Sequence, residues 1–334
     1  MAVIKGKFID GPDYLDQWGV NDNYFDDFDD DLVGDQEGKP EADTIDGLGG
    51  DDRIWGGFGD DVMYGGWGDD VIKPALPEAD IPGDWGYDEA HGGLGSDNLD
   101  FRNTTHHVAL YGDENGDFLI GGSAWDYLDG GSGDDHIWGF GGDDKIWGGS
   151  ENDWVYAGDG EDFLSGGKGV DHLFGDGEND VIWAEDGDDY AYGGYGNDEL
   201  QGGDGRDELW GGSGHDKFMF HMGDSDPSNP DHITDFQATA YRWVGAYDTI
   251  DMMDGPAGSV SNYVALSIGS TGGGYDAAKN SAEAIIGGAT RYVFVTDGVD
   301  GYLFSDEFGN GSVDNGIVLE GLNSPSDFSF SNIL

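Results

Sequence analysis

The sequence predicts an all-β protein whose body is a parallel β-roll, with an N-terminal cap and a mostly β C-terminal domain that caps the roll. Three observations support this fold class. A nine-residue unit repeats through about half of the 334 residues, one position of the unit is always apolar, and 64 residues are glycine. Repeats this short cannot bury an apolar face alone, so they must stack on one another as a solenoid.

The nine-residue unit is continuous from Gly112 to Met219, in twelve copies, and six more copies occupy residues 38–73 and 83–100. Residues 74–82 are a degenerate unit that keeps the phase, whereas residues 101–111 number eleven and break it. Position eight is independent of the aspartate at position six that defines the frame, yet it is apolar in all eighteen copies. Positions seven to nine are therefore predicted to form a short strand whose middle residue points inward.

The charge of the chain limits its partners. With 13 Lys and Arg against 71 Asp and Glu, the net charge of -58 repels nucleic acid and anionic membranes and favours cations. The 11 Trp, 16 Tyr and 17 Phe residues argue against a disordered acidic chain. Cysteine is absent, so disulfides cannot stabilise the fold, and calcium is the cation that suits oxygen ligands.

The turn between strands has the composition of a calcium loop. Glycines at positions one, two and four allow positive φ, so that backbone carbonyls can point inward, and the aspartate at position six adds a carboxylate. Stacked turns then supply the six or more oxygens that Ca²⁺ prefers. Eighteen carboxylates stacked at the strand spacing of about 4.8 Å require cations between them.

The pattern GGxGxDxUx over residues 38–219 resembles the RTX nonapeptide repeat of bacterial proteins. The resemblance implies that one repeat makes half a coil and that several Ca²⁺ ions bind in both rows of turns. Departures such as Glu151 for a turn glycine are expected to weaken single sites, as are the irregular segments 74–82 and 101–111. The carboxylate ligands it implies are Asp43, Asp52, Asp61, Asp70, Asp88, Asp97, Asp117, Asp126, Asp135, Asp144, Asp153, Asp162, Asp171, Asp180, Asp189, Asp198, Asp207 and Asp216.

The two ends of the chain are interpreted separately. Residues 1–37 are expected to form an acidic N-terminal cap or arm, and no apolar run typical of a cleaved signal peptide follows Lys7. Residues 220–334 are expected to contain a short helix at 275–286 and strands at 291–296, 301–305 and 316–319. This segment is similar to the caps and uncleaved tails of RTX proteins exported by type I secretion, which implies an extracellular or cell-surface location.

The sequence indicates a protein that is not an enzyme. It contains neither the HExxH zinc motif nor the GxSxG nucleophile motif, and the one histidine pair, His106 and His107, is interpreted as part of a polar loop. No apolar stretch has the length of a transmembrane helix, so membrane insertion is not expected.

Residues 18 apart should stack on one sheet of the roll, and this arrangement makes one outward face aromatic while the opposite face is mixed. The rings either stiffen the sheet and are covered by the C-terminal domain, or they bind a cell-surface glycan, another protein or a second copy of the chain. The candidate partner face comprises Phe118, Trp138, Trp154, Tyr156, Phe174, Tyr190, Tyr192 and Trp210.

The function expected from these features is that of a secreted or cell-surface calcium-binding protein with a structural or adhesive role, which folds when it meets Ca²⁺ outside the cell. Two alternatives remain open at this point. One is a glycan-binding module that uses the aromatic face, and the other is a subunit or accessory of a secreted enzyme or of a self-assembling extracellular layer.

Overall fold

The computed structural model describes residues 31–33, 42–57, 59–74, 86–221, 223–237, 248–253, 263–267, 274–287, 290–306, 308–324, 328 and 332–334. In these residues the chain folds as a parallel β-roll, which confirms the predicted fold class. The chain divides into two compact units, Met1–Gly158 and Asp159–Leu334.

The first unit consists of two parallel sheets to which the chain contributes strands alternately. Odd-numbered strands are neighbours in one sheet in the order β1-β3-β5-β7-β9-β11-β13, and even-numbered strands in the other in the order β2-β4-β6-β8-β10-β12. The strands are β1 (Asp31–Val33), β2 (Thr44–Asp46), β3 (Arg53–Trp55), β4 (Val62–Trp67), β5 (Val71–Lys73), β6 (Asp88–Leu94), β7 (Asn98–Asp100), β8 (Val108–Glu114), β9 (Phe118–Ile120), β10 (Tyr127–Ser132), β11 (His136–Gly141), β12 (Lys145–Ser150) and β13 (Trp154–Asp159).

The regular repeats pair as predicted, at a separation of 18 residues. Leu128 of β10 lies opposite Ile146 of β12, and the pairing continues through Gly131 and Gly149. Many strands therefore span six residues rather than the predicted three, because backbone pairing extends into the turn. All eighteen position-eight side chains are buried, at most 6% exposed, as the inward orientation of that position predicted.

The separation between paired strands is larger across the degenerate unit at 74–82. Met63 of β4 pairs with Ala90 of β6, and Ile72 of β5 pairs with Leu99 of β7, so that a separation of 27 residues replaces 18 at this point. The increase is nine residues, so the described strands on either side keep the nine-residue phase. Residues 75–85 lie outside the described residues.

The eleven-residue segment at 101–111 breaks the nine-residue phase, as predicted, but it does not interrupt the stack of strands. Its last residues enter β8, which pairs in parallel with both β6 and β10. The segment is a half-coil with two extra residues in its turn, since the separation here is 20. Leu110 takes the inward position eight and is fully buried, and Val108 takes the position of the aspartate.

The second unit continues the same pattern and ends in a different structure. Its sheets have the orders β14-β16-β18-β20-β22 and β15-β17-β19-β21-β26-β25-β24-β23. The elements are β14 (Phe163–Lys168), β15 (His172–Gly177), β16 (Val181–Asp186), β17 (Tyr190–Tyr195), β18 (Glu199–Asp204), β19 (Glu208–Ser213), β20 (Lys217–Phe220), β21 (His232–Ile233), β22 (Thr249–Met252), β23 (Tyr263–Ser267), α1 (Gly274–Glu283), β24 (Tyr292–Thr296), β25 (Gly301–Ser305) and β26 (Asn315–Leu319).

The C-terminal helix and strands match the predicted ones to within a few residues. Strands β24, β25 and β26 form an antiparallel meander, and β26 pairs in parallel with β21 at the end of the roll. Helix α1 packs its buried Ala278 and Ala282 against Val293 and Phe304 of the meander. Strand β23 was not predicted, and it adds in parallel to β24.

Part of the predicted N-terminal cap is a strand of the roll. Leu32 of β1 pairs with Ile54 of β3, as the repeats do with one another. Residues 1–30 and 34–41, which include most of the acidic run that begins at Asp26, lie outside the described residues.

Candidate calcium sites

The aspartates at position six form hydrogen-bonded rows along the turns. The backbone N–H of Asp117 donates to Oδ1 of Asp135 at 2.7 Å, and the same bond joins Asp180 to Asp198 at 3.0 Å. These side chains are almost completely buried, because each is covered by the next coil. All eighteen predicted ligands accept a bond of this kind or donate one: Asp43, Asp52, Asp61, Asp70, Asp88, Asp97, Asp117, Asp126, Asp135, Asp144, Asp153, Asp162, Asp171, Asp180, Asp189, Asp198, Asp207 and Asp216.

The second carboxylate oxygen has a different environment. Within the described residues, Oδ2 is buried and makes no hydrogen bond in Asp70, Asp97, Asp117, Asp135, Asp180, Asp189, Asp198, Asp207 and Asp216. A buried anionic oxygen without a partner costs several kcal/mol. A hard cation that takes oxygen ligands removes this cost, so the residues fit Ca²⁺.

Glycine at position one makes room for this oxygen. A Cβ atom at Gly166 would lie 2.5 Å from Oδ2 of Asp171 and 2.7 Å from the carbonyl oxygen of Ala184 in the next coil. The space that a side chain would fill is therefore bordered by one carboxylate oxygen and one carbonyl oxygen. Such mixed oxygen sets are typical calcium ligands.

The turn backbone keeps its left-handed residues even where glycine is replaced. Glu151, at position four, has φ 78°, and its side chain accepts a hydrogen bond from the N–H of Gly133 at 3.1 Å. Glu185, at position two, has φ 77°. The shape of the turn thus survives these departures, at a cost of about 1–2 kcal/mol each for the backbone conformation.

Burial controls the acidity of the aspartates. It raises the pKa of Asp97, Asp135 and Asp198 to about 7 and that of Asp189 to about 8, and the backbone N–H that donates to each carboxylate offsets only part of the rise. The negative charges of neighbouring aspartates raise these pKa values further. Without cations these carboxyls would therefore take up protons near neutral pH.

Three predicted ligands are placed differently from the others. Asp126 uses both oxygens, since Oδ1 accepts from Val108 N–H at 2.9 Å and Oδ2 from Gly122 N–H at 2.6 Å. Asp43, at the start of the array, is half-buried. Asp88 is buried and its coil stacks on the one where Val108 replaces the aspartate. The predicted weak occupancy near residues 101–111 therefore has a structural basis in the missing carboxylate of Val108.

No cluster of three or more His, Asp or Glu side chains suited to a metal occurs in the described part of the chain. The candidate sites must therefore combine carboxylates with backbone carbonyls, as the turns do. His107 lies in the loop before β8 and stacks on Trp125 with ring centres 4.5 Å apart.

Rings of the predicted partner face stack along the sheet in each unit. In the first unit Trp138 stacks on Tyr156, with ring centres 6.0 Å apart and planes 8° apart. In the second unit Tyr190 and Tyr192 are each 37% exposed, so the described residues leave them accessible. An open groove of about 260 Å³ lies among these rings of the second unit, lined by His172, Phe174, Tyr190, Ala191, Tyr192 and Trp210.

The structure adds two features that the repeat count missed. Asp231 and Asp248 continue the aspartate rows beyond the last repeat, accepting hydrogen bonds from Asp207 and Asp216 at 2.9 and 3.1 Å. The sequence did contain a pattern that indicates these two aspartates. Each is followed two positions later by an apolar residue, Ile233 or Ile250, which is buried like position eight of the repeat. The other feature is a stack of rings on the even-numbered strands of the first unit, formed by Tyr64, His91, Tyr111, Tyr127 and Trp147.

Stacked parallel coils whose turns carry rows of buried aspartates define a calcium-binding β-roll. A family model described as the RTX calcium-binding nonapeptide repeat matches residues 37–72, 110–137, 120–155, 138–173, 165–198 and 192–224. The chain therefore contains RTX calcium-binding nonapeptide repeats over these residues, and the repeats bind several Ca²⁺ ions. Repeats of this family are typical of extracellular proteins exported by type I secretion.

The chain is also similar to a solved structure, a subunit of the mannuronan C5-epimerase from Azotobacter vinelandii. The identity is 26% over 56% of this chain and 80% of that one, with a TM-score of 0.31. No curated protein matches the chain. Among the described residues, no helix is both long and apolar enough to cross a membrane.

Proposed function

We propose that the protein is a non-catalytic structural or adhesive protein of the cell surface or extracellular space, unfolded in the calcium-poor cytoplasm and folded by Ca²⁺ outside the cell. The observation that supports this proposal most directly is the row of buried Oδ2 atoms without hydrogen bonds. Each coil closes only if these charges are neutralised, so metal binding and folding are one process. The exported chain would then become rigid only after it leaves the cell.

Far-UV circular dichroism of the full chain during a Ca²⁺ titration tests the proposal. We expect little β signal in chelator at pH 7.5 and a cooperative rise with Ca²⁺, but not with the same concentration of Mg²⁺, which demands a tighter octahedral site. A chain that is already rich in β structure in chelator would contradict it. Binding to intact cells in Ca²⁺, lost in chelator, is the expected sign of the adhesive role.

A second candidate function is binding of a polysaccharide on the aromatic face. It is favoured by the groove that Phe174, Tyr192 and Trp210 line in the second unit, because sugar rings stack on exposed aromatic rings. Affinity electrophoresis in Ca²⁺ would show retardation that the double variant Tyr192→Ala, Trp210→Ala loses. Trp183→Ala is the matched control, since this tryptophan is 40% exposed on a strand of the other sheet. Retardation that survives the double variant would reject this function.

A further inference from the structure

Both aspartate rows of the second unit extend one step beyond the nonapeptides. Asp207 donates its N–H to Oδ1 of Asp231, and Asp216 donates its N–H to Oδ1 of Asp248. The separations are 24 and 32 residues instead of 18, so neither aspartate belongs to a repeat. Each nevertheless accepts the same hydrogen bond as a position-six aspartate, from the backbone N–H of the aspartate on the preceding coil to its Oδ1.

The two rows end with different chemistry. Oδ2 of Asp231 is buried and makes no hydrogen bond with any described residue, and the residue is 0% exposed. Oδ2 of Asp248 accepts the N–H of Gln237 at 2.6 Å. The nearby Asp235 also uses both oxygens, which accept from the N–H groups of Gly211 and Gly212 at 3.0 and 2.8 Å. Of these three acidic side chains after the repeats, only Asp231 keeps an oxygen available.

The backbone of Asp231 is held by the C-terminal domain. Its N–H donates to Oγ of Ser225 at 2.8 Å, and that hydroxyl donates to the carbonyl oxygen of Gly316 at 2.8 Å. Its own carbonyl oxygen accepts the N–H of Val318, in β26, at 2.9 Å. The carboxylate is therefore fixed between the last coil of the roll and the C-terminal meander.

The buried charge of Asp231 must be balanced. Asp207 has its own Oδ2 buried without a hydrogen bond, so the last two carboxylates of this row each have a buried oxygen that no described residue satisfies. Asp180 and Asp198, on neighbouring coils of the repeats, present the same arrangement, since each has a buried Oδ2 without a hydrogen bond. The alternative to a bound cation is protonation of one of the two carboxyl groups.

We propose that Asp207 and Asp231 bind a further Ca²⁺ ion that joins the last repeat to the C-terminal domain, whereas Asp248 binds none. The site lies past the end of the nonapeptides, and the ion would couple folding of the roll to folding of the cap. This inference rests on calcium binding by the repeats and not on the adhesive role.

Native mass spectrometry of the full chain counts the bound Ca²⁺ ions and tests the inference. We expect Asp231→Asn to hold one ion fewer than the wild type and Asp248→Asn to hold the same number. An unchanged count in Asp231→Asn would mean that a proton balances the charge, and equal losses in both variants would mean that the two rows end alike. Either result overturns the inference. A wild-type chain that binds no calcium would instead overturn the proposed function.

A measurement on the wild type covers the case in which Asp231→Asn does not fold. Crystals grown in Ca²⁺ should give an anomalous difference peak in contact with Oδ2 of Asp231 and none at Asp248. The absence of a peak at Asp231, with peaks present along the repeats, would overturn the inference without affecting the proposed function.

Discussion

Asp189→Asn is expected to shift stability in opposite directions with and without calcium. Oδ1 of Asp189 accepts the N–H of Asp171 at 2.8 Å, while Oδ2 is buried and makes no hydrogen bond among the described residues. Asparagine keeps the first oxygen and replaces the second with an uncharged NH₂ group. The substitution therefore removes the charge and leaves the row of hydrogen bonds in place.

The magnitude in the calcium-free state follows from the acidity of Asp189. Burial is the main reason that its pKa rises from 3.8 to about 8 in the folded chain. A folded pKa above the unfolded one means that the ionised carboxyl opposes folding increasingly as pH rises from about 4 to 8. At pH 7, about 3 pH units above the unfolded pKa, the ionised carboxyl lowers the free energy of unfolding by at most about 4 kcal/mol. Asparagine cannot ionise and therefore removes this loss.

In saturating Ca²⁺ the sign reverses. The variant loses one carboxylate ligand and leaves the cation with less negative charge, which is expected to cost about 3 kcal/mol, as removal of one partner from a buried ion pair does. The control is Asp186→Asn, an exposed carboxylate three positions away in the same turn, which should change either stability by less than about 0.5 kcal/mol.

Urea unfolding followed by tryptophan fluorescence measures both effects, in Ca²⁺ and in chelator with a stabilising osmolyte. We expect the urea midpoint of Asp189→Asn to fall in Ca²⁺ and to rise in chelator, relative to the wild type. A shift of the same sign in both buffers would refute the reasoning, because it would show either that Asp189 does not bind the cation or that its buried charge does not oppose folding.

Three further predictions follow from the same turns. In chelator the β signal in circular dichroism should increase as pH falls from 8 to 5, because the raised pKa values of Asp97 and Asp135, about 7, mean that protonation relieves the charge that opposes folding; a flat signal would contradict this. Val108→Asp should add one Ca²⁺ ion to the native mass spectrum and Val108→Asn none, since Val108 holds the place of the missing carboxylate. Gly166→Ala should lower the urea midpoint in Ca²⁺ by the equivalent of about 1–3 kcal/mol, since its Cβ would lie 2.5 Å from the carboxylate of Asp171; an unchanged midpoint would show that the carboxylate can move aside.

Local chemistry accounts for what the sequence predicted well. The inward position eight was readable because alternation along a short strand depends only on neighbouring residues, and Ile137 or Leu173 is buried wherever its repeat stacks. The C-terminal helix and the strands β24 to β26 were readable for the same reason, since Asp297 and Gly298 mark the turn between two apolar runs. The RTX motif then identified the cation, because a repeated glycine and aspartate turn is a local ligand set.

The sequence by itself thus determined the β-roll, the calcium chemistry and the outward aromatic rings. Only the tertiary structure decided which half-coils stack, because that depends on whether a segment can close a coil between its neighbours. Paired strands are 27 residues apart across the unit 74–82, which has the right length, whereas residues 101–111 have the wrong length and lead into the paired strand β8. For the same reason Val108 and Asp231 could not be assigned from spacing, since stacking of coils and not a nine-residue count brings them into the aspartate rows.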